Sequence, residues 1–283
     1  MKTPKRLEPL LEDGLIDEVV AQLKSGKEAT VYLVRCGEKL RCAKVYKDAN
    51  HRSFRQATVY REGRKTRSSR DARAMAKGSK HGKDELEDSW QHAEVNALYR
   101  LADAGVRVPT PYGFHEGVLL MEMVDDGEGN PAPRLGDLDF TPEAAVHFHA
   151  VLVQEVVRML CAGLVHGDLS EYNILFDAEG PVIIDLPQAV DAAANAHARG
   201  MLERDVRNLA VYFGQYAPEL LDTKYEKEIW DIYESGELTP ETHLTGQAEE
   251  DDTLVDLVSI FAAIDDAKRE EAQRRAAAAE QDE

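Results

Sequence analysis

Residues 164–173 read L-V-H-G-D-L-S-E-Y-N, and a short apolar stretch further on ends V-I-I-D at 182–185. Asp168, Asn173 and Asp185 thus supply two carboxylates and one carboxamide in a fixed order. Moving a phosphoryl group calls for such a set. One carboxylate orients the attacking hydroxyl, and hard oxygen ligands hold magnesium against nucleotide phosphates, because positioning and charge neutralisation supply most of the catalysis. Asp168 suits the first task, Asn173 and Asp185 the second.

The spacing H-x-D-x-x-x-x-N is that of a kinase catalytic loop, and an aspartate closing an apolar strand is that of the metal-binding loop. A lysine and a partner carboxylate are then expected upstream. Residues 40–46, L-R-C-A-K-V-Y, alternate and are rich in strand formers. They predict a strand carrying Lys44, just after another at 30–35. Residues 86–104 have helical composition, with Gly105 as the stop and Pro109 and Pro111 beyond. Glu94 shares a helical face with Trp90, Ala97, Leu98 and Leu101, which turns its carboxylate inward. Burying either charge alone is costly, so Lys44 and Glu94 are expected to pair. Ahead of the first strand, S-G-K-E-A-T at 25–30 holds one glycine where ordinary protein kinases show G-x-G-x-x-G. A lone S-G-K is more often a plain turn, and it gains weight here from Lys44. Gly26 lets backbone N–H groups approach a phosphate, while Ser25, Lys27 and Thr30 add donors and charge.

Taken together, S-G-K-E-A-T-V-Y at 25–32, H-G-D-L-S-E-Y-N at 166–173 and I-D-L-P-Q-A-V at 184–190 resemble the RIO family of atypical serine/threonine protein kinases. The S-G-K-E-A loop and L-S-E-Y-N resemble its type-1 branch, whereas H-G-D and D-x-P-Q echo type 2. Type-2 proteins carry an N-terminal winged helix, for which the segment ahead of Leu23 is too short, so a type-1-like member is expected. The resemblance implies ATP with Mg2+, or Mn2+ in its place. It implies a Lys44–Glu94 pair on the nucleotide, Asp168 as catalytic aspartate, and Asn173 and Asp185 on the metal. It also implies that Asp185 can itself accept phosphate, giving an aspartyl phosphate and an ATPase-like cycle. The strand at 118–121 leads into a hinge where the backbone of Glu122 and Val124 would bind adenine. Gly167 replaces the arginine of H-R-D, Asp-Leu-Pro replaces Asp-Phe-Gly, and Ala217-Pro-Glu219 lies too far on to be an activation-segment motif. RIO proteins share these departures.

The implied architecture is α+β and two-lobed, protein-kinase-like. Residues 1–121 form a small lobe of antiparallel sheet plus helix, 122–126 a hinge, and 127–236 a mostly helical lobe with a long helix from Pro142 capped by Thr141. Residues 237–283 read as an acidic extension, helical around 254–264 and disordered at its end. Net charge is −19, yet segment 51–83 carries eleven Lys or Arg against Glu62 and Asp71. It reads as a flexible basic insertion offering a footprint for ribosomal particles or RNA, or as a solvated loop that offsets the acidic surface. Ser53, Thr66, Ser68, Ser69 and Ser79 are candidate autophosphorylation acceptors there. Three cysteines without metal-ligand spacing read as reduced thiols. Neither a signal peptide nor an apolar run of membrane-spanning length is visible, so a cytoplasmic protein with no membrane partner is expected.

Three functions fit these residues. One is an ATP-dependent protein kinase or autokinase acting on a protein substrate or on itself. Another is an ATP-gated switch for ribosome or RNA assembly. The third is a small-molecule kinase of the aminoglycoside or choline phosphotransferase type, although such enzymes usually show His where Ser170 stands and lack S-G-K-E-A.

Overall fold

The computed structural model describes residues 3–26, 29–47 and 80–248, without the side chains of 80–91. Lys27, the basic stretch 51–79 and the extension from 249 onward therefore lie outside the described residues.

β1 (Glu18–Ser25), β2 (Ala29–Cys36), β3 (Lys39–Tyr46), β4 (Pro111–His115) and β5 (Val118–Glu122) form one sheet in the order β1-β2-β3-β5-β4. Every pairing is antiparallel. β3 is central, which places Lys44 between Val31 of β2 and Leu119 of β5. A short helix, α1 (Glu8–Glu12), caps one end: Leu7, Leu10 and Ile16 pack on Val34, Ala43 and Val118. β1 is the edge strand, largely exposed, with two register shifts along its pairing to β2. Such irregularities twist an edge away from further pairing.

The predicted helix with Glu94 runs as α2 (Lys80–Asp103), beginning earlier than residue 86 and ending before Gly105, whose φ of +73° suits a glycine stop. Ala97, Leu98 and Leu101 are buried with Glu94 on the expected face. The linker after α2 is tied to the larger lobe. Arg107 donates its backbone N–H to Glu155 at 3.0 Å and its guanidinium to Asp177 at 2.6 Å. Its carbonyl accepts Ile183 N–H at 2.8 Å.

The larger lobe is built on α3 (Pro142–Cys161), whose start is set by Pro142 at the first helical position and by Thr141, which accepts Ala144 N–H at 3.2 Å. By length and composition α3 suffices to cross a membrane, which corrects the expectation that no such segment exists. Here Leu152, Val156, Val157 and Leu160 of α3 join the main core. Around it lie β6 (Leu164–Val165) paired with β9 (Val190–Asp191), and β7 (Ile174–Asp177) paired with β8 (Gly180–Ile183). α4 (Ala198–Gly214) and α5 (Tyr225–Ser235) complete the lobe. The near-miss Ala217-Pro-Glu219 falls at a 3-10 turn, Pro218–Asp222, directly after α4.

Candidate active site

Lys44 joins the two lobes. Its Nζ lies 2.5 Å from Glu94 Oε1 and 2.9 Å from Asp185 Oδ1. Glu94 is 4% exposed, and its second oxygen accepts the Tyr46 hydroxyl at 2.7 Å, so the buried carboxylate is satisfied on both sides. Burial alone would favour neutral lysine, but Glu94 and then Asp185 outweigh it and hold the ammonium above its ordinary range. For Asp185 burial likewise favours the neutral acid, and Lys44, with His166 and Lys24, reverses the balance and lowers the carboxyl. Asp185 has φ +69°, a left-handed conformation tolerated best by glycine, asparagine and aspartate.

The loop carrying Asp168 is fixed from beneath. Asp205, on the buried face of α4, accepts Gly167 N–H at 2.7 Å and Leu169 N–H at 3.0 Å. Arg204 donates to the Gly167 carbonyl, and Asn208 donates to the Leu169 carbonyl at 2.9 Å. Gly167 has φ +81°, which explains a glycine at this point of the loop. His166 is buried between the two acidic motifs. Its Nδ1 accepts Asp168 N–H at 3.2 Å, which leaves the ring proton on Nε2 to donate to the Ile184 carbonyl at 3.1 Å. Asn173 Nδ2 donates to the Asp168 carbonyl at 2.9 Å, so Oδ1 is the amide atom left for a cation. Partial burial pushes the Asp168 carboxyl up, His166 and Arg204 opposing. Burial pushes Asp205 up to about 6, against the pull of His166 and its two backbone donors.

Lys44, Glu94, Asp168, Asp185, Glu122 and Val124 line one cavity of about 440 Å³ between the lobes. Gly26 lines it too, but Ser25, Thr30 and Asn173 do not. The Ser25 and Thr30 hydroxyls are 3.3 Å apart, and Lys47 donates to Ser25 and to the Gly26 carbonyl. At the hinge, Glu122 N–H is committed to the Thr110 carbonyl and the Val124 carbonyl accepts Ala132 N–H. The Glu122 carboxylate accepts both the N–H and the hydroxyl of Thr110. Asp205, Arg204 and Asn208 escaped the sequence reading, and His166 entered it as part of the motif without a role of its own. Of the first three, only Asp205 leaves a signal, as an acid on the stripe formed by Met201, Leu202, Val206 and Leu209.

An antiparallel sheet joined to a helical lobe, with one lysine bonded to a helix carboxylate and to the aspartate after a strand, defines a protein-kinase-like phosphotransferase. The family model for the RIO domain matches residues 30–226. The RIO-type serine/threonine-protein kinase Rio1 of Haloferax volcanii is 36% identical over 232 residues, 81% of this chain and 74% of the relative. Rio1 of Methanocaldococcus jannaschii is 30% identical over 241 residues, covering 84% and 76%. Human serine/threonine-protein kinase RIO1 is 28% identical over 217 residues, 76% of this chain but 36% of that longer protein. Among solved structures, the ADP/Mg2+-phosphoaspartate complex of the Rio2 kinase from Chaetomium thermophilum superposes with a TM-score of 0.57 at 23% identity. That match covers 80% of this chain and 64% of the other. The chain belongs to the RIO family of atypical serine/threonine protein kinases, and its relatives place it on the type-1 branch.

Proposed function

We propose that the chain binds ATP with Mg2+ in the interlobe cavity and transfers the terminal phosphoryl group to a serine or threonine hydroxyl, its own or a partner's. The observation that carries this reading is Lys44 held between Glu94 and Asp185 on the wall that also bears Asp168. The donor set fits magnesium: Asp185 and Asn173 Oδ1 are hard oxygens, and Mg2+ takes few protein ligands because phosphates and waters fill the rest. Bound there, the metal would neutralise charge on the phosphates. Lys44 would position the phosphates, and Asp168 would orient the acceptor hydroxyl and take up its proton. With Glu122 N–H and the Val124 carbonyl committed elsewhere, adenine recognition falls to the Glu122 carbonyl and Val124 N–H.

Asp185 has a second role in this reading. One carboxylate oxygen attacks the terminal phosphorus, the bond to ADP breaks, and the phosphoryl group rests on Asp185 until water or a hydroxyl removes it. The phosphoaspartate of the Rio2 complex supports this step for a related fold. The test is incubation with γ-labelled ATP and magnesium, the label then being challenged with acid and with hydroxylamine. Label that hydroxylamine releases, and that Asp185→Asn abolishes, is expected alongside acid-stable label lost in Asp168→Ala. Asparagine is the replacement of choice at 185, because alanine would strain the left-handed backbone. Undiminished labelling of Asp168→Ala would remove that residue from the chemistry.

A further inference from the structure

Two cations of the cavity wall have been given no part in binding or chemistry so far. Lys24 comes from the edge strand β1, and Arg134 from the start of the 3-10 turn Leu135–Asp137 in the opposite lobe. Both line the cavity that holds Lys44 and Asp185. Among the described residues, neither side chain has a hydrogen-bond or ion-pair partner. The nearby carboxylates are otherwise engaged: Glu94 by Lys44 and Tyr46, Glu122 by Thr110, and Asp185 by Lys44. Burial, and next the charge of Arg134, depress the Lys24 ammonium, while Asp185 pulls the other way. These groups therefore feel one another's fields. Two unpaired like charges facing one cleft repel, and an anionic ligand between them removes that repulsion.

The geometry points to Lys24 and Arg134 as a cation clamp, one arm from each lobe, that takes the polyphosphate of the bound nucleotide. The inference rests on the ATP-binding reading above. It also accounts for the sparse 25–30 loop, since side-chain charge on β1 would do what glycine-rich backbone does in ordinary kinases.

The experiment is calorimetric titration of wild type, Lys24→Gln and Arg134→Gln with adenosine, AMP, ADP and ATP, with magnesium, at two salt concentrations. Glutamine keeps a polar, hydrogen-bonding end on a somewhat shorter side chain and removes the charge. Each variant is expected to bind adenosine as wild type does and to weaken for ATP by about tenfold, as a lost charge-assisted hydrogen bond predicts. The loss should grow with phosphate number and shrink at high salt. Equal losses for adenosine and ATP would overturn the clamp, because they would mark a packing role. ATP affinity unchanged in both variants would overturn it too. A wild-type chain that binds no ATP would instead sink the kinase reading itself, which keeps the two failures distinct.

Discussion

The two loops that face each other across the cavity are held very differently. The acidic loop at 166–173 is tied to α4 by Asp205, Arg204 and Asn208, to the second acidic motif by His166, and to itself by Asn173. Among its described residues, the covering loop after β1 is held by a hydroxyl pair, by exposed bonds from Lys47 and by Gly26 N–H to the Ala29 carbonyl, at the irregular edge of the sheet. Catalytic carboxylates need fixed geometry, because a small misplacement weakens the transition state steeply. A cover over a ligand that enters and leaves gains from looser ties. Among the described residues, the buried bonds thus gather where chemistry is done.

Four substitutions break or sharpen that contrast. Asp168→Asn, on the rigid side, should lower kcat by about 10²–10⁴-fold while ATP affinity stays near wild type. A proportionate loss of ATP binding would show that the loop had moved rather than lost its chemistry. Lys44→Met strands Glu94 as a buried charge, and chemical denaturation should report a loss of about 3–5 kcal/mol. A wild-type midpoint would mean that the pair adds little to the fold. Asp205→Ala leaves the Gly167 and Leu169 N–H groups buried without acceptors, with an expected cost of about 2–4 kcal/mol and a fall in kcat. Ser25→Ala, on the loose side, should change stability by less than about 1 kcal/mol and KM for ATP by about threefold at most. If Ser25→Ala costs as much as Asp205→Ala, the contrast fails.

Acidity offers a further probe of Asp205. Its carboxyl rises from an ordinary 3.8 to about 6 in the folded protein. The folded state therefore holds this proton more tightly than the unfolded chain does. The stability it contributes is full at low pH and falls as pH rises from 3.8 through about 6. Comparing denaturation midpoints of wild type and Asp205→Asn across that window should show this slope in wild type only. Parallel curves would mean that Asp205 titrates normally.

Much of the site was legible because spacing alone constrains it. Asp168, Asn173 and Asp185 follow from two short motifs, and Lys44 from a strand pattern. Glu94 follows from the rule that an acid on an apolar helical face needs a partner. The same rule applied to residues 201–209 would have found Asp205, which sits among buried apolar neighbours in the same way. Lys24 and Arg134 had no such signal, since their significance lies in facing one cavity from different lobes, which only tertiary structure provides. The start of α2 was missed because K-H-G-K-D holds a glycine and no apolar residue that would set a helical period. The role of the Glu122 carboxylate as a clasp on Thr110 was hidden behind its expected backbone role.

The anchoring of Arg107 has a mechanical consequence. The same short linker ends the helix that bears Glu94 and bonds to Ile183, two residues before Asp185. The helix that positions Glu94 and the strand that leads to Asp185 are thus linked through the backbone of one residue, so the two carboxylates that share Lys44 are braced a second time, away from the cavity.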